Sequence, residues 1–325
     1  MIKVLTVFAM VAVLLPMVFA PSLARAQTPT PTPNKARESV PAGLVQVASD
    51  SAKRSLQAKR IVGGKPQMIR LSTASRICIG DVVFVPPGSR PILAFYNRGT
   101  RFRLAPGSVV RVGQDAPRRV RGAAFQILAS YNPQLLGAFS FDTPSARFGV
   151  VKGGDLQRSV FRLLPVGAIL TPNKPIAVAW AGTRTVPASP LQVSLLRRGE
   201  TGVLWSGAVP AGQSPPFFFA APGLDVGGVY DCVCESDAGI RATGTVRVLS
   251  ERDAKAVGAN AAFLQKYIGG AKDADERGGT YCLLALLYEK HELFADADAA
   301  YEKARTLLPD DRLLKMAPRK NAPTP

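Results

Sequence analysis

The stretch "VVFVPPGSRPILAFYNRGTRFRLAPGSVVRV", residues 82–112, decides the fold class of this 325-residue chain. Its runs "VVFV", "PILAFY", "TRFRL" and "SVVRV" are rich in β-branched and aromatic residues, and "PPGS", "NRG" and "APG" stand between them. Runs of this kind, punctuated by Gly, Pro and Asn, read as short strands joined by tight turns. Asn97-Arg98-Gly99 suits a three-residue hairpin in which Gly99 supplies a positive φ, and Pro106-Gly107 suits a type II turn. In "TRFRL", Phe102 and Leu104 alternate with Arg101 and Arg103. The period of two predicts apolar groups inside and guanidiniums outside, and Arg111 between Val110 and Val112 repeats the pattern. An all-β unit over residues 61–125 follows.

Just upstream, "AKRIVGGKPQ", residues 58–67, has the Arg-Ile-Val-Gly-Gly order at which secreted trypsin-like proteases are activated. That chemistry needs a His to take the serine proton and an Asp to orient it. The sole histidine is His291, within the helical-looking "LLALLYEKHELF", and the chain has no Gly-Asp-Ser-Gly segment. Ile61-Val62-Gly63-Gly64 is therefore a strand entering a glycine turn. Other chemistries fail in the same way. His291-Glu292 is half of a zinc-protease helix motif, but Ala295 stands where the second His belongs. No phosphate-binding Gly-Lys-Ser/Thr loop and no Gly-x-Gly-x-x-Gly fingerprint occurs, and Asp296 and Asp298 are two apart on a predicted helix, so they do not face each other. The expectation is a protein with no catalytic residues, no metal and no cofactor.

Residues 1–26 read as an export signal: Lys3, the apolar "VLTVFAMVAVLLPMVFA", and Ala24-Arg25-Ala26 as a small-x-small cleavage site, with cleavage after Ala26. The apolar run falls short of the about 20 residues that span a bilayer. Export to the periplasm or the extracellular side of a bacterial envelope is expected. Residues 27–60, starting "QTPTPTPNKARES", read as a Pro/Thr-rich and basic linker.

Downstream, residues 126–156 read as a connector or additional β structure. Residues 157–250 contain "PIAVAWAG", "LQVSLLRRG", "GVLWSG", "GGVYDCVCES" and "RATGTVRVLS" at the spacing of an antiparallel sandwich. Tyr230-x-Cys232 resembles the tyrosine corner of immunoglobulin- and fibronectin-like sandwiches, and Trp180 is a candidate core tryptophan. Cys78, Cys232, Cys234 and Cys282 allow three disulfide pairings, between which the sequence does not choose.

Residues 251–312 are helical. Ser250-x-x-Asp253 offers a cap, and "TYCLLALLYEKHELFADADAAYEKARTLLPDD" resembles a tetratricopeptide repeat, a helix–turn–helix unit. On that alignment the packing positions are Tyr281, Leu284, Ala285 and Tyr288 on the first helix. Phe294, Ala297, Tyr301 and Ala304 follow on the second, with Pro309 at its exit. Glu292 stands where a glycine is usual. Residues 313–325 read as a disordered tail.

The first β unit also resembles a family. Gly80-Asp81, Gly88-Ser89-Arg90, Asn97-Arg98-Gly99-Thr100, Leu104, Pro106 and Ser108 fill the places of the FecR-like domain. The namesake of that family is a membrane-anchored periplasmic regulator. The resemblance, together with the repeat, implies a scaffold or signalling module of the envelope.

The chain carries a net +18, unevenly placed. Residues 51–125 hold 15 Lys/Arg against 2 Asp, whereas residues 251–312 hold 9 basic and 12 acidic residues. Two functions follow. The first is an exported, non-enzymatic scaffold that binds a protein partner, or itself, through the helical repeat. The second is a basic β domain binding acidic polysaccharide or anionic lipid headgroups, with nucleic acid not expected. Its candidate anion-binding residues are Arg90, Arg98, Arg101, Arg103, Arg111, Arg118, Arg119 and Arg121.

Overall fold

The strands read in residues 82–112 form parts of two facing sheets. In the computed structural model the described residues are 39–48, 55–138, 161–163, 167–178, 180–182, 189–213, 216–236, 241–311 and 314–315. The expected export signal, most of the Pro/Thr-rich linker, most of the tail and the Trp180 side chain lie outside them.

The first ten strands are β1 (Pro41–Val47), β2 (Gln57–Val62), β3 (Lys65–Arg70), β4 (Arg76–Cys78), β5 (Val82–Phe84), β6 (Ile92–Phe95), β7 (Arg101–Arg103), β8 (Val109–Val112), β9 (Pro117–Arg121) and β10 (Gln126–Leu128). They build two five-stranded antiparallel sheets, ordered β10-β7-β6-β1-β4 and β3-β2-β5-β8-β9. The β unit therefore extends beyond residues 61–125: β1 and most of β2 occupy the segment expected to be a linker, and β10 lies in the expected connector. Composition misled at the start of the chain because β1, "PAGLVQV", follows directly on the Pro/Thr-rich run. Gly99 has φ 64° and Gly107 φ 69°, as the hairpin and the type II turn require.

Val45, Leu93, Phe95 and Phe102 from the first sheet meet Ala58, Val83, Val110 and Val112 from the second in one buried cluster. Phe102 touches Phe95 and Phe125 edge-on, with ring centroids 5.4 and 5.3 Å away.

A short helix α1 (Pro133–Ala138) follows, and then nine strands. These are β11 (Phe161–Leu163), β12 (Gly167–Ile169), β13 (Ile176–Val178), β14 (Trp180–Gly182), β15 (Leu191–Arg197), β16 (Val203–Val209), β17 (Phe217–Phe219), β18 (Val229–Ser236) and β19 (Arg241–Val248). A sheet ordered β12-β19-β18-β15-β16 shares a second core with the smaller β13·β17 pair. Its edge pair β12·β19 is parallel, a departure from the all-antiparallel expectation. The Tyr230 hydroxyl accepts a 2.7 Å hydrogen bond from the Asp225 amide five residues upstream, the geometry of a tyrosine corner. Trp205 stacks flat on Phe219 at 4.2 Å. Cys78, Cys232, Cys234 and Cys282 are buried free thiols.

Three helices close the described chain: α2 (Glu251–Gly270), α3 (Ala274–Lys290) and α4 (Phe294–Leu307). The Ser250 side chain accepts from the Asp253 amide and caps α2. Helix α3 is buried on almost every side. Leu283, Leu286 and Tyr301 share a buried cluster with Leu44, Val47, Ile92 and Ala94 of β1 and β6. The approach is close enough that a Cβ on Gly279 would lie 2.3 Å from Val47 Cγ2. The molecule is thus mostly β with a C-terminal helical segment, and the helices form a third layer on the first sheet. Leu314, in the expected tail, is buried in the same cluster.

Candidate functional site

Positive charge on the two N-terminal sheets meets opposite fates. On the first sheet the basic residues are matched from within. Arg101 and Arg103 do alternate with Phe102, but the face they occupy is covered by α3. Arg101 is 0% exposed, and its guanidinium lies 2.7 Å from Glu276 Oε1. It also donates to the Ala129 carbonyl at 2.5 Å and stacks 4.3 Å from the centroid of the Tyr131 ring. Tyr131 in turn hydrogen-bonds Gln46 and Thr280 at 2.7 and 2.9 Å. Burial, opposed in part by the Arg101 charge, pushes the Tyr131 hydroxyl up to about 12.

Arg103 pairs with Asp273 at 2.6 Å, and Asp273 also caps α3 by accepting from the Glu276 amide. Arg103 and Arg90 draw the neighbouring Asp275 carboxyl down, but burial and Asp273 outweigh them and leave it raised. Arg101 therefore leaves the anion-binding set, and Arg90 and Arg103 face the acidic first turn of α3. Period two distinguishes the faces of a strand without saying what covers each. Arg98 sits in the β6–β7 turn, 3.7 Å from Asp115 in an exposed pair.

The second sheet is different. Its strands β2, β3, β5, β8 and β9 carry eight Lys or Arg residues and no Asp or Glu. The inward side chains Ala58, Val83 and Val110 fill the core. On the outward face Lys59, Met68, Arg111 and Arg118 are exposed. Register places Arg111 directly opposite Arg118, and Arg121 directly opposite Val109. Across the sheet, Val82 stands opposite both Arg111 and Lys59, and Lys59 opposite Met68. Arg111, Arg118, Arg119 and Arg121 are exposed, and none forms an ion pair among the described residues. Like charges directly opposed on neighbouring strands repel, since their Cβ atoms lie only about 5 Å apart.

Sequence reasoning missed Lys59, Lys65 and Arg70, which join this sheet through the β2–β3 hairpin. The available signal was a run of strands without a single carboxylate. Arg60 plays a different part. It clamps Asp81 through two hydrogen bonds of 2.9 and 2.7 Å and donates to the Arg76 carbonyl, fixing the base of the hairpin. Gly63 and Gly64, at φ 57° and 80°, make the tight turn that the Ile-Val-Gly-Gly segment enters.

On the helices, Leu284, Ala285, Ala297, Tyr301 and Ala304 are buried. Tyr281, Tyr288 and Phe294 are half-buried, and Pro309 is exposed. His291 ends α3 half-buried, and burial lowers its basicity. Among the described residues no group of three or more His, Cys, Asp or Glu side chains is placed to hold a metal ion. No described helix is long and apolar enough to cross a membrane.

No protein-family model matches the chain, and no curated protein sequence does. Among solved structures it is similar to a "Biofilm associated protein - BSP domain", with 11% identity and a TM-score of 0.21. The match covers 65% of this chain and 30% of that one. At that score the likeness carries no conclusion about function.

Proposed function

We propose that this chain is an exported, non-enzymatic binding protein whose working surface is the outward face of the β3-β2-β5-β8-β9 sheet, and that it recognises polyanions. The observation that carries the reading is the directly opposed pair Arg111 and Arg118 on a sheet without carboxylates. An anionic group between them turns a repulsion into two charge-assisted contacts, and guanidiniums suit such groups through paired N–H donors. Export rests on the signal-like residues 1–26. The inner face of the helical repeat is packed on β1, so the arginine face rather than the repeat carries the proposal.

The test is binding of the full chain to dextran sulfate across a salt series. Replacing Arg111, Arg118 and Arg121 together by Ser should weaken binding at least tenfold. It should also flatten the slope of log affinity against log salt by about 1 for each cation removed. Replacing Arg98 by Ser should do little. Equal binding by the triple variant would place the site elsewhere.

A further inference from the structure

The arginine face is not merely basic, because apolar side chains stand exposed among its cations. Ile61 is 57% exposed, Met68 56% and Phe84 36%. Strand periodicity puts Ile61, Lys59 and their partners Pro66 and Met68 on the same outward face as Arg111 and Arg118. A hydrated acidic polymer gains little from such apolar groups. A boundary between charged headgroups and acyl chains takes both kinds.

The β2–β3 hairpin adds a shape. Strand β2 pairs with β5 only over Gln57–Lys59, whereas it pairs with β3 out to Val62 and Lys65. Its outer half therefore runs on beyond β5, with the Ser39 hydroxyl donating to the Ile61 carbonyl at 3.3 Å. A Cβ built on Gly63 or Gly64 meets nothing within 4 Å. The backbone beyond β5 is paired across the hairpin, and Pro66 on the edge strand has no N–H to leave bare. Arg60, clamped on Asp81, holds the arm at its base. Val62, on the opposite face of the tip from Ile61, is 42% exposed. The tip is apolar on both sides, with Lys59 and Lys65 behind it on stems long enough to keep their charges in water.

We propose that the polyanion is an anionic lipid bilayer, which the arginine face contacts through its headgroups while the Ile61–Gly64 tip enters the boundary below them. This rests on the polyanion reading above and adds the wedge to it. Attraction of the cations brings the sheet to the surface and fades with salt; insertion of the tip does not.

The experiment compares the full chain, the triple arginine variant and an Ile61→Ser/Val62→Ser variant. Each is measured on vesicles of phosphatidylcholine and phosphatidylglycerol in equal parts, on phosphatidylcholine vesicles, and on dextran sulfate. Both altered tip positions are exposed, and an unchanged thermal midpoint verifies that the variant folds. The tip variant is expected to bind the mixed vesicles about tenfold more weakly and to lose retention at high salt, with dextran sulfate binding unchanged. In a Val62→Trp variant, the emission of the introduced indole is expected to shift to the blue with mixed vesicles and to be quenched by brominated lipid. Vesicle binding that survives the tip substitutions, or an introduced indole that lipid does not quench, overturns the insertion while leaving the polyanion reading intact. Failure of the unaltered chain to bind either vesicles or dextran sulfate overturns both.

Discussion

Arg101 shows what a single residue decides in this molecule. Its guanidinium is fully buried between β7 and α3, held by Glu276, the Ala129 carbonyl and the Tyr131 ring. Removing one partner of a buried pair leaves the other as an uncompensated charge. Arg101→Met should therefore destabilise the protein by about 3–5 kcal/mol in urea unfolding, and adding Glu276→Leu should restore much of that loss. A double variant as weak as the single would mean that the rest of the network matters more than the unpaired carboxylate. Tyr131 in the same network gives a pH signature. Its hydroxyl is pushed up to about 12 from an ordinary value near 10, so the folded state holds the proton more tightly than the unfolded one. Its contribution is full below about pH 10 and is lost as the pH climbs through about 12, with the unfolded state releasing the proton first. Stability measured over that window should fall in the unaltered protein and fall less in Tyr131→Phe.

At the scale of elements, turns and caps were legible wherever one residue type has one physical use. Gly99 and Gly107 take the positive φ that their turns require, and Ser250 caps α2. Glu292 is the informative exception, since the repeat-like alignment puts a glycine there. The structure gives Glu292 φ 61°, a left-handed conformation, with its carbonyl accepting from the Ala168 amide at 2.8 Å. Left-handed backbone costs an L-residue about 1–2 kcal/mol, while the exposed pair of Glu292 with Arg247 contributes at most about 1. Thermal midpoints should therefore run Glu292→Gly at or above the unaltered protein and Glu292→Val below it, the latter by about 1–2 kcal/mol. The reverse order would mean that the side chain, not the turn's handedness, holds the α3–α4 junction. The fate of the strand arginines was not legible in the same way. Arg101 and Arg111 sit in equivalent alternating patterns, and only tertiary contacts bring Glu276 onto one and leave the other open. The candidate face was half legible: Arg111, Arg118 and Arg121 were named from sequence, while Lys59 joined them through a hairpin partly hidden in the expected linker.

For the whole molecule, the uneven charge has a partly internal answer. The N-cap and first turn of α3 supply Asp273 and Glu276 to Arg103 and Arg101, so basic and acidic segments far apart in sequence bind each other. No Pro- or Gly-rich linker separates the sandwich from the helices, since Leu249 is buried and Ser250 already caps α2. A chain ending at Ser250 tests whether the β layers stand without the helices. Truncation uncovers Leu44, Val47 and Ile92, which are buried beneath α3. Burial of each such side chain contributes about 1.5–3 kcal/mol, so their sum rivals the roughly 5–15 kcal/mol that holds a typical domain. It also strands Arg101 without Glu276, and removes Val257 and Leu293 from Ala168 and Leu249. The truncated chain should bind a hydrophobic dye strongly and lose its cooperative urea transition, rather than behave as two intact β domains. A native near-UV spectrum with an unshifted urea midpoint would show instead that the helices are an appendage. The distinction bears on the arginine face, because its sheet is packed on the sheet that the helices back. If the helices are structural, truncation should weaken polyanion binding without touching a single arginine of the site.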